Sequence, residues 1–444
     1  MTSEDYTEFI KKMGPTDNIY AKFGLSGNPF PARAIAAERH PDLPKIIERF
    51  SWEARKDEIL QIHKKLIEPA YKDRESGNIW LSGRFGIGKT AILIYIWQEL
   101  RKREDTVALY SELGTGFPYV YSNIIGQLRM PFFEDLVRRL AYKAVCQYWD
   151  RFFESETDPV FLKTKDSLAN FVEVLKKVNE EDDEEDEKEE VEGSKLTYEN
   201  VQAVTKTLLS ENGITSPVRD GLVKMIVDSH VGYAVLTDKV QQAKRLQALA
   251  DLIKTFYLAG YRMTYLFLDQ LDYEYRFNFT KSQRDKAASQ LKQFAIWTQG
   301  YVAIASTTYP DLINYFKLNY PQVLDALPMD KFRIIEVGPL TSDKTKILAR
   351  KYLETVKTKE SIPDLFPFTE QAIEYICQAD GINGVPRYLL NALYSILESA
   401  TEYEKVKLID VDFVKEHLVI PEEEEAETEE EKEAPFPSRI IRTE

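Results

Sequence analysis

The hydrophobic positions along the chain fall into five short apolar runs, separated by longer stretches with helical spacing. The runs occupy residues 78–82, 107–111, 264–268, 301–305 and 332–337. Runs of this length, bounded by polar residues or glycine, are typical of buried β-strands. Because helical stretches separate the runs, the pattern predicts an α/β fold with a five-stranded parallel sheet covered by helices on both faces.

A long helical region separates the second apolar run from the third. Residues 118–260 contain amphipathic stretches but almost no strand signal; the clearest stretches are 134–153, 168–178, 201–209 and 240–256. We therefore expect a helical insertion within a sheet domain that spans residues 51–338.

The two ends of the chain have a different character from the sheet domain. Residues 1–50 hold five prolines, which predict an irregular segment. Beyond residue 339, stretches with helical spacing predict a small helical domain over 339–420; they are 342–355, 369–378, 386–400 and 410–418. The composition of residues 421–444 predicts a disordered acidic tail.

Two acidic runs dominate the net charge of −15. Residues 180–192 carry a net charge of −10 and residues 422–433 carry −8, so the rest of the chain is close to +3. The first run predicts a solvated loop, and the near-neutral remainder does not exclude binding to a polyanion such as DNA. Cys146 and Cys377 lie far apart in apolar patterns and are interpreted as buried thiols.

Two sequence features indicate where in the cell the protein is located. The first nine residues are polar and acidic, unlike a signal peptide, and no apolar run approaches 18 residues. Together with the unpaired cysteines, these features predict a cytoplasmic protein without membrane contact.

A glycine-rich motif follows the first strand and matches the pattern G-x-x-x-x-G-K-[ST]. It consists of Gly83, Arg84, Phe85, Gly86, Ile87, Gly88, Lys89 and Thr90. In such a loop the backbone N–H groups curl around phosphate oxygens, the lysine reaches the β- and γ-phosphates, and the Thr hydroxyl binds Mg²⁺. The apolar strand before it and the apolar helix after it favour ATP binding over a chance match.

The third strand delivers a carboxylate, Asp269, at its carboxyl end. In P-loop ATPases such an acid holds the Mg²⁺ shell. The next residue is Gln270, whose amide orients water but does not accept a proton as a carboxylate does. Either hydrolysis is slow, or Asp272 or Glu274 acts as the base; the alternative for these two is a solvated acidic loop.

Two further positions are candidates for contact with the γ-phosphate. Thr307 or Thr308, at the end of the fourth strand, would hydrogen-bond the phosphate or the attacking water; the alternative is that they cap the next helix. Arg387 follows a Gly-Val-Pro turn that opens a helix of the C-terminal domain. An arginine at this position would contact the γ-phosphate and so sense which nucleotide is bound; the alternative is an ordinary surface arginine.

Other charged residues carry weaker signals. Lys331 and Arg333 flank the start of the fifth strand. Either would act as an arginine-finger-like cation toward a neighbouring subunit; the alternative is that both are solvated charges at the edge of the sheet. The four histidines are His40, His63, His230 and His417, and they show no metal-ligand spacing.

These motifs, in this order, resemble the AAA+ superfamily of P-loop ATPases. The resemblance covers residues 20–112 and 262–400 and is strongest to the origin-recognition, general-secretion-A and transposition-helper branch, with the STAND switch ATPases nearby. It rests on the segments FGL and NPF near the N-terminus, on the P-loop, and on LFLDQLD, RIIEVGPLTSDKTKILARKYL and FTEQAIEYICQADGINGVPRYLLNAL. The resemblance implies Walker B at Asp269, sensor one near Thr307 and sensor two at Arg387.

The chain departs from this family pattern in three ways. Gln270 replaces the usual glutamate, and some STAND ATPases carry such an Asp-Gln pair, which suits a slow switch. The 118–260 insertion matches no known counterpart. About 20 residues follow the last lid motif before the acidic tail, so we expect no winged-helix DNA-binding domain. Phage-defence ATPases of the BREX type are also similar around Walker B.

The resemblance leaves two functional hypotheses. The first is an ATP- and Mg²⁺-dependent AAA+ switch or loader, a slow ATPase that forms a homo-oligomer and acts in DNA metabolism or mobile-element defence. The second is a STAND-like scaffold that acts on a protein partner without DNA contact, through the insertion or the acidic tail. A small-molecule kinase is disfavoured because the lid arginine in a GxPR setting is typical of protein remodellers.

Overall fold

The structure is a computed structural model that describes residues 18–32, 48–113, 116–179, 195–271 and 280–419. Its contacts divide the chain into two compact units. The P-loop unit consists of Met1–Gln61, Leu81–Tyr95 and Ile335–Glu444, and the sheet unit consists of Ile62–Trp80 and Ile96–Ile334. The acidic run 180–192 and the tail 421–444 lie outside the described residues.

A five-stranded parallel sheet forms the framework, as the apolar runs predict. Its strands are β1 (Asn78–Ser82), β2 (Thr106–Glu112), β3 (Met263–Asp269), β4 (Val302–Thr308) and β5 (Ile334–Glu336), in the spatial order β2-β3-β4-β1-β5. The β2–β3 register runs from Thr106 opposite Met263 to Glu112 opposite Asp269. Every residue of β1, β3 and β4 is buried, which explains why these strands are apolar without alternation.

Three strands extend beyond their apolar runs: β2 and β3 by one residue at each end, and β4 by three residues at its carboxyl end. Asp269 is the last residue of β3 rather than the residue after it. The polar residues 306–308 belong to β4, because Ser306 pairs with Leu268 and the strand continues to Thr308. Tyr309 is the N-cap of the next helix, so the alternative in which the threonines cap that helix is wrong.

Helices cover the rest of the described chain. Those beside the first strand are α1 (Lys56–Ile62), α2 (Glu68–Asp73) and α3 (Lys89–Arg101). A π-helical turn, His63–Ile67, joins α1 to α2, so the helical stretch before β1 runs from Lys56 to Asp73. After β3 come α11 (Lys281–Thr298), α12 (Pro310–Asn319) and α13 (Pro321–Ala326).

The described residues between β2 and β3 form helices only. They are α4 (Phe117–Gln147), α5 (Pro159–Asp166), α6 (Leu168–Asn179), α7 (Tyr198–Glu211), α8 (Val218–Lys224), α9 (Ser229–Asp238) and α10 (Arg245–Leu258). Side chains from α4, α5, α6 and α7 share one hydrophobic core, which includes Val145, Phe161, Phe171 and Val204. In the described part of the chain, no helix is both long and apolar enough to span a membrane.

The C-terminal helical domain contains four α-helices, three of which have a side-chain N-cap. They are α14 (Ser342–Glu354), α15 (Glu370–Gln378), α16 (Pro386–Glu402) and α17 (Val411–His417). The side chains of Thr341, Thr369 and Asp410 each accept a hydrogen bond from a backbone N–H in the first turn of the helix that follows. Such caps satisfy donors that the helix itself leaves free, which fixes where these helices begin.

The N-terminal segment 18–32 is integrated into the helical domain. Phe23, Leu25 and Phe30 are buried in the same hydrophobic cluster as the side chains of α14 to α17. Lys22 Nζ donates to the backbone oxygens of Ala400 (2.6 Å) and Tyr403 (2.7 Å) at the end of α16. The prolines make this segment irregular, and its apolar side chains anchor it.

Candidate functional site

The glycine-rich loop forms the centre of the site in the P-loop unit. It leads from the end of β1 at Ser82 to the start of α3 at Lys89. Gly86 and Gly88 adopt φ values of +71° and +96°, which a residue with a side chain rarely tolerates. A Cβ atom on Gly83 would lie 2.6 Å from the backbone oxygen of Val337, so this position also requires glycine.

The loop closes around the amine of Lys89. Lys89 Nζ donates to the backbone oxygens of Gly83 (2.6 Å) and Arg84 (3.0 Å), and the side chain is buried. With these carbonyls turned toward the lysine, the loop has the curled form that a phosphate-binding loop needs. Thr90 lies in the first turn of α3, where the helix dipole favours negative charge.

The arginine of the helical domain meets this loop. Arg387 lies in the first turn of α16, and its guanidinium carbon is 4.3 Å from the ring centre of Phe85. The backbone N–H of Arg387 donates to the backbone oxygen of Gly86 at 3.2 Å. A Cβ atom on Gly86 would lie 3.0 Å from Cβ of Arg387. The structure therefore brings Arg387 of the helical domain to Phe85 and Gly86 of the glycine-rich motif, which is a separate motif in the sequence.

Arg55 also contacts the loop, and sequence reasoning missed it. Its guanidinium donates to Ile87 O (2.6 Å), to Gly338 O (2.8 Å) and to Glu58 Oε1 (3.0 Å). Burial lowers the pKa of Arg55, and the Glu58 carboxylate opposes that shift. The i,i+3 spacing of Arg55 and Glu58 was the available signal, but that spacing is ordinary on exposed helices.

The Arg55–Glu58 pair is buried, with side chains only 6% and 9% exposed. Within the described residues, Glu58 Oε2 has no hydrogen-bond partner. An ion pair in this environment depends strongly on both members being present. Arg55 thus links the loop to the residues after β5 inside one unit.

The sheet unit holds the second group of predicted residues, centred on Asp269. Its side chain is buried, and Oδ1 accepts hydrogen bonds from Thr307 Oγ1 (2.5 Å) and from the Gln270 N–H (3.0 Å). Oδ2 accepts a hydrogen bond from the Tyr110 hydroxyl at 2.8 Å. A carboxylate that accepts at both oxygens is held in one orientation.

Gln270 has an unusual backbone next to this carboxylate. Its φ is +53°, in the left-handed region that residues other than glycine seldom adopt, and its N–H also donates to Thr307 Oγ1 at 2.9 Å. Its side chain is exposed. The two alternative bases, Asp272 and Glu274, lie outside the described residues.

The remaining candidates have structural partners. Arg333 donates to Asn78 O (3.4 Å) and lies beside Asp330, whereas Lys331 is exposed beside Phe332. Cys377 is buried, but Cys146 is only half-buried. In the described ranges no group of three or more His, Cys, Asp or Glu side chains is arranged to hold a metal ion.

Comparisons with known proteins give little further guidance. No protein-family model matches the chain, and no curated protein matches it either. One similar solved structure is described as the crystal structure of Cdc6p from Pyrobaculum aerophilum; the two share 12% identity with a TM-score of 0.39. The match covers 85% of this chain and 66% of that one, just under two thirds of its length. A likeness this weak supports no conclusion about function.

The fold and the loop nevertheless define a class. The chain is an α/β protein with a parallel sheet and a glycine-rich P-loop between its first strand and the helix that follows. Within the P-loop unit, a helical domain presents an arginine to that loop.

Proposed function

We propose that this protein is an AAA+ ATP-binding protein that hydrolyses ATP slowly and works as a nucleotide-dependent switch or loader. One observation carries the proposal: Arg387 of the helical domain stacks on Phe85 of a loop that is curled around Lys89. A loop that binds triphosphate, and a lid residue already in contact with that loop, are the parts a switch needs.

The residues present suit ATP and Mg²⁺. The backbone of Gly83 to Gly88 would bind the phosphates, and Lys89 would reach the β- and γ-phosphates. The P-loop motif assigns Mg²⁺ to the Thr90 hydroxyl, and the Walker B resemblance assigns Asp269 to its shell. Mg²⁺ is a hard cation that prefers oxygen ligands and takes several of them from phosphate and water, so no three-carboxylate cluster is required. When bound, the ion supplies electrostatic stabilisation of the charge on the transferring phosphoryl group.

Slow hydrolysis is part of the proposal because Gln270 stands where an efficient ATPase of this type has glutamate. We expect a turnover well below the ~1–100 s⁻¹ typical of kinases. The left-handed backbone of Gln270 and the bond from its N–H to Asp269 hold the residue beside the carboxylate. Its exposed amide would orient water without accepting the proton.

Replacing this amide tests the explanation. Gln270→Glu is expected to raise ATP turnover at least tenfold, because a positioned general base contributes about 10²- to 10⁴-fold. The measurement is phosphate release at saturating ATP, with Gln270→Asn as the control that keeps an amide and should leave turnover low. If the glutamate variant is no faster than the native protein, the base lies elsewhere and the slow-switch reasoning is wrong.

The proposed switch acts on a partner, which is either DNA or another protein. We propose that the ATP state controls subunit contacts and action on DNA, in DNA metabolism or mobile-element defence. The alternative is a STAND-like scaffold for a protein partner, which the two acidic runs favour because runs of −10 and −8 repel DNA.

Mass measurement tests the whole proposal. Light scattering with ATP, without nucleotide, and with ATP plus duplex DNA should give a larger particle with ATP, and calorimetry should detect Mg²⁺·ATP binding. No ATP binding would overturn the proposed function. ATP-dependent assembly without any DNA shift would leave the switch in place and favour the protein-partner alternative.

A further inference from the structure

The hydroxyl of Tyr110 has no role in the motifs, yet it holds one oxygen of Asp269. Tyr110 lies on β2, is fully buried, and donates to Asp269 Oδ2 at 2.8 Å. It pairs with Phe267 in the β2–β3 register, two residues before the position opposite Asp269. A tyrosine ring that runs along the strand therefore bridges to the carboxylate from the side opposite Thr307.

Tyr110 is itself held on two sides. Its ring packs against Trp97, with the ring centres 5.4 Å apart, and Trp97 Nε1 donates to Ala108 O at 3.1 Å. On the other side, Gln127 of α4 contacts the backbone of Tyr110: its amide nitrogen donates to Tyr110 O, and its oxygen accepts the Tyr110 N–H at 3.4 Å.

This contact has a clear physical reason. Among the described strands β2 lies at the edge of the sheet, so the backbone groups on its outer side face no other described strand. A side-chain amide carries one donor and one acceptor, as a peptide group does, and Gln127 thereby takes the place of the missing strand at Tyr110. Asn123, one turn earlier in α4, donates to Ser111 Oγ at 3.2 Å and extends the contact.

The helix that provides Gln127 also enters the core of the insertion. Two residues after Gln127, the helix is broken at Arg129 (φ +56°, ψ +166°), and Pro131 follows. A non-glycine residue in this region costs about 1–3 kcal/mol and persists only where the surroundings enforce it. Beyond the break, Ala141, Ala144 and Val145 of α4 join the insertion core.

We propose that Tyr110 is a positioning residue for Asp269, and that Gln127, which belongs to the insertion, holds Tyr110 in place. The inference rests on the proposed function, because Asp269 matters here as a ligand of the Mg²⁺·ATP shell. It makes the insertion an element that helps to position the carboxylate of Asp269.

The test is the metal dependence of nucleotide binding. Non-hydrolysable ATP analogue is titrated by calorimetry at a series of Mg²⁺ concentrations and in EDTA, on the full chain. Tyr110→Phe is expected to raise the Mg²⁺ concentration for half-maximal binding about tenfold or more, as loss of one hydrogen bond to a charged group implies, while binding in EDTA changes little.

Tyr265→Phe is the matched control. Tyr265 is also fully buried, on β3, and its hydroxyl donates to a backbone oxygen, Ile67 O, at 3.1 Å. Its removal should leave the metal dependence unchanged. If Tyr110→Phe behaves as Tyr265→Phe, or weakens binding equally with and without Mg²⁺, Tyr110 has no positioning role and the inference fails. If the native protein binds no Mg²⁺·ATP, the proposed function fails first.

Gln127→Leu tests the link to the insertion. It should shift the Mg²⁺ dependence in the same direction as Tyr110→Phe, and the double variant should show little more than Tyr110→Phe alone, because residues that act through one another are not additive. An additive double variant, or a Gln127→Leu with native metal dependence, would overturn the role assigned to the insertion.

Discussion

Replacing Lys89 with alanine is expected to weaken Mg²⁺·ATP binding by about 100-fold, or about 3 kcal/mol. Truncating one partner of a desolvated charge pair typically costs 2–5 kcal/mol, and Lys89 is buried inside the loop that would carry the phosphates. The measurement is calorimetric titration of ATP in the presence of Mg²⁺, with circular dichroism to establish that the variant is folded.

Lys102→Ala is the control for this experiment. Lys102 follows α3 directly, and its side chain is 69% exposed and paired with Glu99. Its removal should leave ATP affinity within twofold, because exposed ion pairs contribute little. Native affinity in the Lys89 variant would mean that this loop is not the nucleotide site.

Replacing Arg55 with alanine is expected to destabilise the protein by about 3–5 kcal/mol. Removing one member of a buried ion pair leaves the other charge uncompensated; Arg55 bonds Glu58 Oε1, and Glu58 Oε2 has no hydrogen-bond partner among the described residues. The backbone oxygens of Ile87 and Gly338 also lose a donor, which loosens the loop. Urea unfolding followed by tryptophan fluorescence gives the change.

A double replacement separates charge from packing. Arg55→Met combined with Glu58→Leu should recover more than half of the lost stability, because an apolar pair of similar volume has no charge left to desolvate. Glu58→Leu alone is expected to be costly, since it leaves the buried guanidinium of Arg55 unpaired. A single Arg55→Ala variant as stable as the native protein would contradict the importance assigned to this pair.

The sequence was a good guide to local features. β1, the glycine-rich loop and α3 are contiguous, so their apolar and glycine pattern is sufficient to place them, and α3 begins at Lys89 within the predicted motif. The caps Thr341 and Thr369 likewise explain why the helices of the C-terminal domain begin where the pattern indicates. In each case the residues that decide the structure are neighbours in the chain.

The hydrophobic pattern did not predict contacts between residues that are distant in the chain. Tyr110 and Asp269 are separated by 159 positions, and only the β2–β3 register shows that they meet. The role of Arg55 depends in the same way on Gly338, which is 283 positions away. Hydrophobic spacing predicts which face of an element is buried, but not which partner covers it.

The ends of β4 show a further limit. Residues 306–308 are polar, so hydropathy alone ends the strand at residue 305, but backbone pairing and burial beside Asp269 carry it to Thr308. Polar residues in a buried strand are tolerated when their side chains are hydrogen-bonded, as Thr307 is. The error therefore occurred where a candidate functional residue departs from the ordinary strand pattern.

The shared core of segment 18–32 and helices α14 to α17 has a consequence for synthesis on the ribosome. Phe23 and Leu25 are synthesised before the side chains that bury them, such as Leu393 and Ile409, which are added more than 300 residues later. Until then these apolar groups have no native partners, and Arg387 has not yet been made. A nascent chain should therefore complete the core of its P-loop unit only after residue 409 has been added, and until then segment 18–32 is a natural client for chaperones that shield apolar side chains.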